Sequence, residues 1–253
     1  MIDFEEYLKD WESTSLVELD SIALIKRMDT KYVIHIRELP LILSKIKSQY
    51  RVLEINGARV FGYQTNYFDT PDFQFYLEHH NGYTRREKVR FRAYQNSDLK
   101  FFEIKKKLPS DQTDKIRIPV GEMQEELNLD QYRLVGENKL RNRILEKKVT
   151  NLFKRVTLAQ FELRERVTID TDIEFSVADK KITLPQIAIL ELKQPRVNIN
   201  SPLVQILKKM RIYPSSFSKY AMAVVMLDLC QKKNEFKPQL LKLNKIMNFH
   251  NVS

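Results

Sequence analysis

The chain is poor in the residues from which several common functional sites are built. A single cysteine, Cys230, excludes an internal disulfide and a cysteine-clustered zinc site, and suits a reducing compartment. Five glycines in 253 residues supply neither glycine-rich linkers nor a Walker-type or Rossmann phosphate loop. No uncharged apolar run approaches the roughly 20 residues that span a bilayer. The opening Met-Ile-Asp-Phe-Glu-Glu lacks the basic and apolar regions of a signal peptide. The sequence therefore reads as a soluble, cytoplasmic chain with no transmembrane segment. Histidine is scarce as well, and the pair His79-His80 has no partners at ligand spacing, so His79-His80-Asn81-Gly82 reads as a turn.

Positive charge is plentiful. Lys and Arg number 43 against 33 Asp and Glu, a net charge of +10, which favours an anionic partner: nucleic acid, a membrane surface or phosphate compounds. No nucleic-acid-binding motif accompanies the charge, which sets nucleic acid aside. Apolar residues make up 43%, enough for a sizeable core. The expected organisation is one domain over residues 1–230, with its core at about 23–229, and a basic tail over 231–253.

The charge is patterned. Residues 82–107 read as two antiparallel strands joined around Gln95–Leu99. Side chains alternate faces along a strand, so Lys88, Arg90, Arg92 and Tyr94 share a face opposite Val89, Phe91 and Ala93. In the second strand Glu103, Lys105 and Lys107 oppose Phe102 and Ile104. The same pattern recurs as Lys115/Arg117 within Asp114–Val120, as Arg164/Arg166/Thr168 within Leu163–Ile173, and as Glu191/Lys193 within Pro185–Gln194. Arg155 lies on the preceding strand, Val149–Phe161. Asp29 and Lys31 share a face of a strand expected over Ala23–Ile36.

One isolated pair of this kind is the solvated face of a half-buried sheet. Recurrence on at least five strands favours another arrangement: an eight-stranded antiparallel β-barrel, α+β in class, with apolar faces outward under packed helices and charged faces lining a tunnel. Unpaired buried charge is costly, so such a bore must hold water, counterions or a polyanion. Phosphate chains suit it, because arginine binds phosphate oxygens through a planar fork and lysine acts as a point charge. Few carboxylates among many bases suggest one divalent ion, Mg²⁺ or Mn²⁺, held by Glu191 with help from Glu103 and completed by phosphate oxygens and water.

The remaining segments read as follows. Phe4–Trp11, Leu16–Ile22, Glu38–Gln49 and Pro202–Met210 have helical spacing, as does an apolar stretch from Ser218 to Cys230. Tyr50–Ile55 and Arg59–Phe68 read as a hairpin turning at Asn56-Gly57. Asp69-Thr70-Pro71-Asp72 reads as the cap of a short helix through Leu77. Glu122–Lys148 reads as two helices. Tyr32, Tyr67 and Tyr94 read as wall packing.

Taken in order, Asp29-Thr30-Lys31-Tyr32, Tyr67-Phe68-Asp69-Thr70, His80-Asn81-Gly82, Arg86-Glu87-Lys88-Val89-Arg90-Phe91-Arg92, Glu103-Ile104-Lys105, Arg166-Val167-Thr168-Ile169-Asp170, Leu190-Glu191-Leu192-Lys193 and Ser218-Lys219-Tyr220 resemble the VTC domain. This is the polyphosphate polymerase branch of the triphosphate tunnel metalloenzymes. The resemblance implies transfer of the terminal phosphate of ATP to a growing polyphosphate chain with a divalent metal, often manganese. It implies phosphate-binding roles for Lys31, Arg90, Arg92, Lys105, Arg166, Lys193 and Lys219, with Glu191 as metal ligand; Lys88, Lys115, Arg155 and Arg164 join them as candidates. Arg90, Arg92, Lys105, Arg166 and Glu191 are the candidate catalytic set. Many relatives carry glutamate where this chain has Asp29. Related tunnels hydrolyse triphosphates, so a triphosphatase is the nearest alternative, and a non-catalytic receptor for polyphosphate or inositol phosphates is another. A membrane-protein partner is compatible with the resemblance.

Overall fold

The computed structural model describes residues 3–22, 27–95, 97–108, 113–135 and 144–248. Its centre is a single sheet. Eight strands follow one hydrogen-bonded path: β2 (Met28–His35), β11 (Ile187–Gln194), β9 (Glu165–Val177), β8 (Glu146–Gln160), β4 (Phe61–Asp69), β5 (Arg86–Tyr94), β6 (Lys100–Lys107) and β7 (Thr113–Val120), all antiparallel to their neighbours. Three short strands lie off it: β1 (Ser13–Thr14), β3 (Arg51–Leu53) and β10 (Lys180–Leu184).

The expectation of an eight-stranded closed barrel is corrected on both counts. Among the described residues the sheet has eleven strands, because β8 and β9 are long enough for each to carry two partners end to end on one edge and β1 pairs in turn with β3. β3 and β4 share an edge of β8, while β10 and β11 share an edge of β9. The sheet is also open, with no pairing between β2 and β7 among the described residues. On β2, the Lys31 carbonyl instead accepts the Ser215 N–H at 2.8 Å, so the segment leading into the last apolar helix covers that edge.

The same geometry corrects the expected hairpin. Asn56 and Gly57 do form a tight turn, with φ of 51° and 78° and a bridge from Ile55 to Ala58. Beyond that bridge β3 and β4 do not pair, since β8 takes both. The stretch expected to be helical over Glu122–Lys148 holds one helix among its described residues, α5 (Leu129–Val135). Glu146–Lys148 belong to β8, and residues 136–143 lie outside the described residues, as do 23–26 of the strand expected from Ala23.

Helices cover the sheet by placing apolar residues on it, as α2 (Leu16–Ser21) does with Leu19 against Leu53, Phe61 and Ala159. In α3 (Leu39–Ile46), Leu39, Ile42, Leu43 and Ile46 recur at helical spacing and are all buried, with Pro40 in the first turn where its missing N–H is harmless. They pack with α1 (Phe4–Leu8) and α6 (Pro202–Lys209) over Tyr32, Ile34, Val156, Leu158, Leu190 and Leu192, on the face opposite the charges. Phe75 of α4 (Gln74–His80) and Val135 of α5 cover Phe68, Val89, Phe91, Phe102 and Ile104 likewise. His79 and His80 lie within α4 rather than in a turn. Asp69 and Thr70 cap that helix as expected: Asp69 accepts the N–H of Phe75 at 2.8 Å and of Tyr76 at 2.9 Å, and Thr70 Oγ1 that of Gln74 at 2.9 Å.

One helix departs from the expected arrangement of helices outside the sheet. α7 (Lys219–Met226) packs on Val33, Tyr67, Val149, Phe153 and Ile189, which share strand parity with the charged residues. It therefore fills part of the trough on the charged face and brings Lys219, its first residue, to the charges. The basic C-terminal segment contains α8 (Lys237–Asn248), anchored by buried Leu243 in the same cluster.

Candidate functional site

Pairing register sets the charged face row by row. Lys88, Lys105 and Lys115 lie side by side on β5, β6 and β7; the next row holds Tyr67, Arg90, Glu103 and Arg117. On the other half of the sheet, Lys31 faces Glu191, which faces Thr168, while Asp29 faces Lys193, which faces Arg166. Arg155 faces Asp170.

Three carboxylates act as internal counterions. Glu103 is almost fully buried beneath four bases: Arg90 at 2.6 Å, Lys115 at 2.9 Å, Arg117 at 3.4 Å and Arg92 at 3.8 Å. Burial pushes its carboxyl up, but these cations, Arg90 first, outweigh burial and hold it far below the usual range. Asp170 takes Arg155 in a bidentate fork at 2.6 and 2.8 Å and also accepts from Lys219. Glu191 divides its oxygens between Lys31 at 2.7 Å and Lys193 at 2.5 Å; the two lysines overcome burial and keep it well ionised.

Bases still outnumber acids, and the surplus collects in one place. Lys88 donates to Ser218 Oγ at 3.1 Å and has no carboxylate partner among the described residues. Burial, then the charges of Lys105, Arg90, Arg86 and Lys31, lower its ammonium to about 7. Lys105 is lowered by burial and held up in part by Asp29 and Glu191, which places β6 across from the β2–β11 edge. Asp29, Lys31 and Glu191 of the β2–β11 edge thus lie within electrostatic range of Lys88 and Lys105.

Lys31, Lys88, Arg90, Arg92, Lys105, Lys115, Arg155, Lys193 and Lys219 all belong to this face. Arg166 lies on it at the rim, where its Nη2 donates to the Leu19 carbonyl at 3.0 Å. Arg164 does not join it: with a φ of 53°, it sits exposed in the turn between β8 and β9. Two residues that the sequence reading did not assign stand out. Asp170 was hidden because a carboxylate at the end of a basic motif has no signature until its partners are known. Arg117 was visible in the alternation, and its aromatic contacts were not.

No three His, Cys, Asp or Glu side chains gather into a metal cage among the described residues. Mg²⁺ or Mn²⁺ needs only one or two carboxylates when phosphate oxygens and water complete its shell. Glu191, a hard-oxygen donor whose side chain is 20% exposed, fits that requirement. Glu103, only 1% exposed and beneath four bases, sits as their counterion.

The profile of the VTC domain family matches residues 26–227. No curated protein matches the sequence. Among solved structures the chain is similar to the PH1819 protein from Pyrococcus horikoshii OT3, at 12% identity and a TM-score of 0.44 over 79% of this chain and 96% of that one. It is similar also to HpAC1 from Hippeastrum, a putative adenylyl cyclase with a dominant triphosphatase activity, at 13% identity and a TM-score of 0.47 over 78% and 94%. The RNA triphosphatase Pct1 of S. pombe matches at 10% identity and a TM-score of 0.29 over 96% and 93%. No helix among the described residues is long and apolar enough to cross a membrane.

Proposed function

Because the chain belongs to the VTC domain family, we propose that it is a metal-dependent polyphosphate polymerase, transferring the γ-phosphate of ATP to a polyphosphate chain held in the charged trough. The observation that carries this reading is the cationic surplus on one face: Lys88, with no carboxylate partner among the described residues, lies beside Lys105 and near Arg90 and Lys31, while Glu103 and Glu191 are each already shared between two or more bases.

Phosphoryl transfer asks little covalent chemistry of a protein; positioning and charge neutralisation dominate. Arg90 and Arg92, with their guanidinium groups held over Glu103, are oriented to grip β- and γ-phosphate oxygens. Lys88, Lys105 and Lys31 complete the cage. A terminal oxygen of the acceptor chain attacks the γ-phosphorus, the bond to the β,γ-bridging oxygen breaks, and ADP leaves with that electron pair. The acceptor oxygen is anionic at neutral pH, so no general base is required. A divalent ion, held by Glu191 and phosphate oxygens, would neutralise charge on the transferring group. Lys219, at the start of α7, contacts the chain from beside Arg155, with which it shares Asp170.

Binding of inorganic triphosphate by calorimetry tests the reading. Arg90→Ala should weaken binding and transfer at least tenfold while the thermal transition stays cooperative, because Glu103 keeps three other bases. Undiminished binding and transfer would contradict the role of Arg90.

A further inference from the structure

Three contacts fix the guanidinium of Arg117 on β7. Its Nε faces Glu103 at 3.4 Å, its Nη2 donates to the Tyr94 hydroxyl at 2.5 Å, and its Cζ lies 3.6 Å from the centre of the Phe101 ring. A guanidinium that close to a ring centroid lies over the ring face. Tyr94 meets Phe101 edge-on at 5.9 Å and Tyr63 at 4.8 Å, so the aromatic surface continues into the trough. The Arg117 side chain keeps 37% exposure, so part of it is open to solvent and to a ligand.

A counterion for Glu103 has no need of this geometry; Lys115 does the same work at 2.9 Å with a point charge. The position is also informative. Phe101 precedes Lys105 by four residues along β6, about 13 Å at strand rise. That is comparable to the distance from the terminal phosphate of an extended nucleoside triphosphate to its base.

We propose that Arg117, backed by Phe101 and Tyr94, is the platform on which the base of a nucleoside triphosphate stacks while its phosphates occupy the Lys88–Arg90–Lys105 cage. The proposal rests on the phosphate-transfer reading and adds to it a reason why the donor is a nucleotide. Bases stack on aromatic rings and on guanidinium planes alike, and losing one such contact weakens binding by about tenfold. The contact is tolerant of base identity, since every base has a π-face.

The test is calorimetric binding of ATP and of inorganic triphosphate, each with Mg²⁺, to the full chain, to Arg117→Lys and to Phe101→Leu. Arg117→Lys retains the charge beside Glu103 and removes the planar group; at a half-exposed edge position it keeps the test available should Phe101→Leu fail to fold. The ratio of ATP affinity to triphosphate affinity should fall about tenfold in the folded variants. A ratio unchanged in them overturns the platform and leaves the phosphate cage standing. Wild-type protein that binds neither anion overturns both.

Discussion

Arg155 grips Asp170 through two hydrogen bonds, of 2.6 and 2.8 Å, from the neighbouring strand. Asp170 also receives Lys219 from the start of α7, so one nearly buried carboxylate ties β8, β9 and the helix that fills the trough. The positions of two proposed phosphate-binding bases thus depend on an acid.

Asp170→Asn should therefore destabilise the fold. Removing one member of a buried ion pair typically costs about 3–5 kcal/mol, because the remaining charge is left without compensation. Urea unfolding should show a lower midpoint with unchanged slope. The pH dependence has a definite sign. Burial raises the Asp170 carboxyl, but Arg155 and Lys219 outweigh it and bring it from 3.8 to about 2. The unfolded chain takes up this proton first as pH falls, so the stabilisation is complete above about pH 4 and drains away towards pH 2. Asp170→Asn should lose that part of the acid transition.

Lys88 should report anion binding through a proton. Its folded value of about 7 lies below the ordinary 10.5. Without ligand, the unfolded chain holds the proton more tightly, and Lys88 makes the protein more stable as pH climbs from 7 towards 10.5. A bound polyanion reverses the preference and draws a proton in. Calorimetry of triphosphate binding at pH 7.5, in buffers of different ionisation enthalpy, should reveal more proton uptake in wild type than in Lys88→Met, which should also bind about tenfold more weakly. Equal uptake in both would contradict the assignment.

Tyr220→Phe should loosen α7. The Tyr220 hydroxyl donates to Asp69 Oδ2 at 2.6 Å, the same carboxylate that caps α4. A buried acceptor that loses a donor typically costs about 1–3 kcal/mol, which should lower the melting temperature. Lys219 is the preceding residue, so the apparent affinity for triphosphate should fall with it. An unaltered melting temperature would show that the helix is held by packing alone.

The charged face was legible in sequence because its signal is local. A side-chain period of two places Lys88, Arg90 and Arg92 together whatever the rest of the chain does, and the register then brings Glu103 beneath them. What failed depended on distant partners. The β3–β4 hairpin looked sound at Asn56-Gly57, yet β8, about 100 residues later, pairs with both strands. Glu146–Lys148 carry charges that suit a helix surface, and pairing with Phe68 and Asp69 makes them strand. The run from Lys219 announces an apolar helix but not which face of the sheet it covers. Recurrence of the charged face on several strands points to a closed barrel, while the β2 edge is met at Ser215 by a loop rather than by β7.

The central claim is tested most directly by product analysis: purified protein with ATP and Mn²⁺, followed for ADP, orthophosphate and polyphosphatase-sensitive polymer. The account predicts polymer with matching ADP, abolished by Glu191→Ala. Orthophosphate without polymer would contradict the polymerase reading and make the trough a triphosphatase, and the absence of both products would contradict phosphoryl transfer altogether.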